Sequence, residues 1–170
     1  MFQRTAVLVL AGATFVASAA CGPEPDLSTA LKVVPGITGY RHAGLDTMGQ
    51  HRLLPSITFQ LKNDGDVAMT YVDINVSFWQ EGSPTETDSK LIKGIAATAL
   101  EPGATAESLT VDSSLGYTSS VNNEQAFTSV EYKPFIVKLF AKRRGKTTLL
   151  GEYPIDKRVL PVAQTSGSHQ

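Results

Sequence analysis

Two stretches of strict alternation constrain this chain more than anything else in it. Ile57, Phe59 and Leu61 alternate with Thr58, Gln60 and Lys62; Val72, Ile74, Val76 and Phe78 alternate with Asp73, Asn75, Ser77 and Trp79. A period of two puts one set of side chains on a buried sheet face and the other in water, which no helix does. Asn63-Asp64-Gly65-Asp66 lies between the two runs, and residues of that kind accept the positive φ angles of a tight hairpin. The expectation is that these two strands pair directly.

Further strands follow. Residues 90–100 form a partly β-branched apolar run that stops at Glu101-Pro102-Gly103, where Pro presets φ and Gly accepts a left-handed conformation. Residues 105–111 place Leu109 and Val111 on one face. Residues 112–126, rich in Ser, Asn and Gly, read as a long loop. Residues 135–142 form another strand, which Arg143-Arg144-Gly145-Lys146 turns into 147–153, and 159–162 can finish the sheet. An early strand is expected at 30–34. Residues 36–50 hold Gly36, Gly39, Gly44 and Gly49 and read as an excursion or an extra edge hairpin. Seven to eight short strands separated by turn signals predict an all-β fold, an immunoglobulin-like antiparallel β-sandwich.

The N-terminus reads as a targeting segment. Arg4 is followed by an uncharged, mostly apolar run over residues 6–20, shorter than the roughly 20 residues of a membrane span. Its length and its small-residue end, Ser18-Ala19-Ala20, fit a secretory signal and cleavage site. The only cysteine, Cys21, stands directly after it. An internal disulfide is thereby excluded. The arrangement resembles a bacterial lipoprotein signal, in which the cysteine is acylated and becomes the mature N-terminus, although Ser18 stands where that signal usually has an aliphatic residue. The resemblance implies lipid attachment at Cys21 and a cell-envelope location facing the periplasm or exterior. Gly22 after the cysteine, by analogy with Gram-negative sorting, points to the outer membrane. The expected organisation is a signal peptide over 1–20, a Pro-containing tether over 21–29, the sandwich over 30–163 and a polar tail over 164–170.

The sandwich residues carry a second resemblance. Ile57-x-Phe59-x-Leu61-x-Asn63-Asp-Gly-Asp66, then Val72-x-Ile74-x-Val76-x-Phe78, then Leu100-Glu-Pro-Gly103 is similar in rhythm to FxLYD and CARDB-type extracellular modules of bacterial lipoproteins. It covers about a third of the chain, and the literal FxLYD string is absent. It implies a module that works by contact or as a spacer, and it carries over no catalytic residue.

With 15 Lys+Arg against 16 Asp+Glu, the charge is too balanced for a nucleic-acid binder, and the 42% apolar content is too high for a disordered chain. Neither a Gly-x-Ser-x-Gly elbow nor a Ser-x-x-Lys is present. The three histidines are His42, His51 and His169, the last in the tail. His42 and His51, with Met48 between them and Asp46 nearby, are weak candidates for a soft metal such as copper; exposed side chains of a Gly-rich loop explain them better, and no metal site is assigned. Asn63-Asp64-Gly65-Asp66 lacks the closing Glu of a calcium loop. Lys142, Arg143, Arg144 and Lys146 read as a solvated hairpin tip, and Asn75-Val76-Ser77 as a chance sequon. Trp79, Tyr117, Tyr132 and Tyr153 suit either a binding surface or the core. The sequence thus predicts a protein without cofactor or catalysis, held to a membrane through acyl chains on Cys21 and meeting an envelope protein partner. The segments 36–50 and 112–126 are the expected contact surfaces. A periplasmic ligand or copper carrier is the alternative.

Overall fold

The computed structural model describes residues 25–161; the expected export segment over 1–20, Cys21 and the expected tail over 164–170 lie outside the described residues. The element order is a short helix α1 (Leu27–Ala30), then β1 (Leu31–Leu45), β2 (His51–Asn63), β3 (Val72–Gln80), β4 (Asp88–Ile95), β5 (Leu109–Asp112), β6 (Tyr117–Ser119), a 3-10 turn at Glu124–Thr128, β7 (Phe135–Arg143), β8 (Lys146–Pro154) and β9 (Val159–Leu160). They form two sheets. One runs β5-β2-β1-β9, with β6 also on β2; the other runs β4-β3-β7-β8. All pairings are antiparallel except β1 with β9, which is parallel. The architecture is the expected β-sandwich. No helix among the described residues is long and apolar enough to cross a membrane.

Both alternating runs point where their period requires. Ile57, Phe59 and Leu61 from one sheet and Val72, Ile74, Val76 and Phe78 from the other are all buried in one common core. Tyr40, Leu53, Met69, Val137 and Leu139 complete its centre. Phe59 from one sheet and Phe78 from the other are thus both buried in the layer between the sheets, which side chains fill to a thickness of about 10 Å.

The expected hairpin between β2 and β3 is not formed. The two strands lie in different sheets, and residues 64–71 carry the chain across. None of residues 63–66 has a positive φ. Asn63 is fully buried and acts as a clamp, with its amide donating to the Val67 and Leu100 carbonyls and accepting from the Gly65 N–H. A clamp of this kind bends the chain from one layer to the other, whereas a hairpin would fold it back in the same layer.

Two further expectations are revised. Residues 36–50 are no excursion: they form most of β1 and the turn into β2, so the hairpin lies at the middle of its sheet. The packed part also begins before residue 30, since Leu27 and Ala30 belong to the core. Asp26 caps α1 by accepting from the Ser28 N–H and hydroxyl, and these bonds hold its carboxyl below the ordinary value. By contrast, the Arg143–Lys146 turn is as expected: Arg144 and Gly145 take φ of 47° and 80°, the two left-handed residues of a tight hairpin.

Candidate functional site

The end of the β1–β2 hairpin collects the residues with most chemical potential. The turn is built by Asp46, whose Oδ1 accepts from the Met48 and Gln50 N–H groups at 2.8 Å each. That carboxylate oxygen is therefore committed to forming the turn. Just before the turn, β1 is bulged: His42 pairs with Leu53 and Leu45 with His51, so two residues of β1 face the single Arg52. Gly44 in the bulge has φ of 85°, which an L side chain rarely adopts.

This register sets two histidines side by side. His42 lies opposite Leu53, and His51 is two residues from Leu53 on the same strand, so both rings emerge on one face of the sheet. That face is the inner one, because Leu53 and Tyr40 are fully buried on it. His42 Nε2 and His51 Nδ1 are 2.8 Å apart, and the ring centroids 4.9 Å. One ring donates to the other. The nine-residue spacing in sequence hid this contact, since only the hairpin register converts it into adjacency. Met48, the third candidate, stands at the turn with its side chain 78% exposed. Among the described residues, no three or more of His, Cys, Asp and Glu gather as a metal-holding group.

Deeper along the same face lies an aromatic cluster. Tyr40 stacks at 4.6 Å on Phe127 and meets Tyr132 and Phe135 edge-on, and Tyr117 packs against Tyr132 at 5.7 Å. The Tyr40 and Tyr132 hydroxyls share a buried hydrogen bond of 2.8 Å. Burial raises the Tyr40 phenol far above its ordinary range, and Tyr132 also rises, by burial first. These tyrosines serve the core. Residues 112–126 are correspondingly less open than a free loop, since β6 and the 3-10 turn occupy part of them and Ala126 and Phe127 are buried.

The outer face of the second sheet is different. Leu91 and Phe140 flank Asn75 across the ladder, and Leu149 stands next to Phe140. Leu91 and Leu149 are 60% and 47% exposed. A register shift between Leu139 and Phe140 leaves Leu150 packed against the core while Leu149 faces water. Trp79 lies on the same face, with its Nε1 donating to Ser77 Oγ at 2.7 Å and Lys138 Nζ 5.0 Å from its ring. Ser77 also donates to Glu86 at 2.6 Å, so its hydroxyl is engaged with no imidazole beside it. The histidines at the hairpin bond each other, not a serine.

No known family and no curated protein matches the sequence. Among solved structures, two of a Parabacteroides merdae β-glucuronidase, one with glycerol in its active site, are similar over 72% of this chain. Identities are 13% and 12%, and TM-scores 0.35 and 0.36. The matched region spans 13% of the glucuronidase chain in each case.

Proposed function

We propose that this chain is a lipid-anchored contact module of a bacterial cell envelope, working by protein binding without catalysis or cofactor. The observation that carries the reading is the cross-strand row on the outer face of the second sheet, in which Leu91, Phe140 and Leu149 are apolar and Asn75 stands between the first two. It runs between β4 and β8, the edge strands of that sheet. Exposed apolar side chains grouped on a rigid sheet are how a partner is recognised by burial, and an open edge accepts an added strand. Ile37, Leu45 and Met48 add exposed apolar surface in the expected segment 36–50.

The anchor rests on the placement of Cys21 directly after Ser18-Ala19-Ala20, and chain length fixes how close it would hold the sandwich. Leu27 is packed in the core six positions after Cys21, so the intervening chain spans at most about 20 Å even when extended. Acyl chains on Cys21 would hold the sandwich close to the headgroups. Cross-linking capture from native membranes tests the whole reading, comparing the wild type with Cys21→Ala and with the double change Leu91→Glu, Leu149→Glu. The expected result is one partner, lost with the double change, and release of Cys21→Ala from the membrane fraction. Capture unaffected by the double change would overturn the contact surface; membrane retention of Cys21→Ala would overturn the anchor.

A further inference from the structure

We infer that His42 and His51 form a two-imidazole site for Cu(II) at the mouth of the sandwich. The two nitrogens facing each other, Nε2 of His42 and Nδ1 of His51, are 2.8 Å apart. Imidazole nitrogens bind such a metal at about 2.0–2.1 Å, so two of them at a right angle on one ion stand about 2.9 Å apart, and at a tetrahedral angle about 3.3 Å. The hydrogen-bonded spacing thus equals that of neighbouring ligands in a square-planar arrangement, the geometry Cu(II) prefers with nitrogen and oxygen donors, so the nitrogens need not separate to take up the ion. The ring centroids, 4.9 Å apart, show the two nitrogens head-on along their hydrogen bond, so on binding each ring must swing off that line about its broad terminal torsion until the lone pairs converge on one ion.

The protons balance without a second reactant. In the metal-free pair one facing nitrogen carries hydrogen and donates. On binding, that ring moves its proton to its other nitrogen, and both facing nitrogens present lone pairs. The copper remains Cu(II), and water fills its other positions. Among the described residues no Asp, Glu or Cys joins the pair as a third protein ligand, and Asp46 Oδ1 is engaged by the Met48 and Gln50 N–H groups. A purely oxygen-seeking ion such as calcium therefore finds nothing here, while copper stands highest among first-row divalent ions for nitrogen sites.

The backbone around the pair is arranged to fix it. The bulge at Ala43 and Gly44, against the single Arg52, sits between the two pairings that carry the histidines. Ser119 on β6 lies directly across from His51. Both rings are half-buried and rooted in strands, one ladder step from fully buried Leu53, so they start from a restricted set of positions. This site goes beyond the contact reading and stands without it.

Titration of the purified full chain with Cu(II), followed by calorimetry and electron paramagnetic resonance, decides the matter. The expected result is one equivalent bound, with superhyperfine splitting from two imidazole nitrogens. His51→Gln should weaken binding at least about tenfold, or about 1.4 kcal/mol, and His169→Gln should leave it unchanged. Equal affinity in the double variant His42→Gln, His51→Gln would overturn the assignment, as would the absence of binding. Should a variant fail to fold, the wild-type spectrum still decides: a signal without two nitrogen ligands overturns it.

Discussion

The side-chain amide of Asn63, fully buried at the end of β2, donates to the backbone carbonyl of Leu100 at 2.8 Å. The same residue joins the two segments by its backbone, its N–H donating to the Ala104 carbonyl at 2.9 Å and its carbonyl accepting from the Gly103 N–H at 2.7 Å. Leu100 in turn exchanges both backbone bonds with Met69, which is fully buried. One amide thus ties the crossover between the sheets to the turn at residues 101–103. Every polar group it buries is satisfied, which is the condition for burying it at all.

Asn63→Ala is expected to cost roughly 2 kcal/mol, because the buried site loses three hydrogen bonds at once: those to the Val67 and Leu100 carbonyls and the one from the Gly65 N–H, although the Leu100 carbonyl keeps the Met69 N–H. Asn63→Asp removes the same donor and adds a charge, so it should be no milder. Equilibrium urea unfolding measures both. A loss below about 0.5 kcal/mol, the range of ordinary surface changes, would show that the amide is not the clamp.

The same residue shows where sequence reading stops. Alternation at residues 57–61 and 72–78 correctly told which side chains face inward, because a period of two is a property of the strand alone. It could not tell the partner strand. A hairpin and a crossover bury the same alternate residues, and Asn-Asp-Gly carries a hairpin signal whatever the amide does. Residues 36–45 were harder still, since Val34, Pro35, Gly36 and Ile37 of β1 are exposed and give no inward rhythm. The histidine pair needed the register: His42 and His51 were visible as residue types, but only the bulge and the pairing of His42 with Leu53 make them neighbours. Tyr132, ambiguous in sequence, became a core residue because Tyr40 supplies its hydroxyl with a partner.

Gly94→Ala is expected to destabilise the domain by about 1–3 kcal/mol through overpacking. Gly94 is the extra residue where β4 slips between Val72 and Asp73, and a Cβ there would sit 2.5 Å from Ile74 Cγ1 and 2.8 Å from Leu61 Cδ1. Both neighbours are fully buried and have little room to yield. A thermal melt reads the effect, and combining the change with Ile74→Ala, which removes Cγ1, should cost less than the sum of the two single losses. Additive losses in the double variant would refute the steric account.

Alkaline titration should expose the tyrosine pair. Burial raises the Tyr40 phenol above its ordinary value of 10.0. The folded state then holds a proton that the unfolded chain releases, so the stabilisation is complete below about pH 10 and is lost as the pH climbs beyond it. The slope from this group approaches about 1.4 kcal/mol per pH unit. Tyr40→Phe should flatten the stability curve above pH 10 while lowering stability at neutral pH, since the Tyr132 hydroxyl loses its 2.8 Å partner. An unchanged alkaline slope in Tyr40→Phe would place the titrating group elsewhere.

Acid should loosen the opposite seam, where Asp88 at the start of β4 joins the second sheet to the segment after β5. Its Oδ2 accepts from the Ser114 N–H at 2.6 Å and the Ser113 hydroxyl at 3.0 Å, with Lys90 Nζ at 3.7 Å. Burial alone would raise this carboxyl, but the two hydrogen bonds and the lysine outweigh it and hold it below its ordinary value of 3.8. A depressed carboxyl stabilises the fold above the unfolded value, and the contribution disappears as the pH falls through the folded one. Asp88→Asn removes that dependence: it should lower stability at neutral pH and show a shallower fall than the wild type below about pH 4. Parallel acid curves for the two proteins would mean that the carboxylate does not hold the seam in solution.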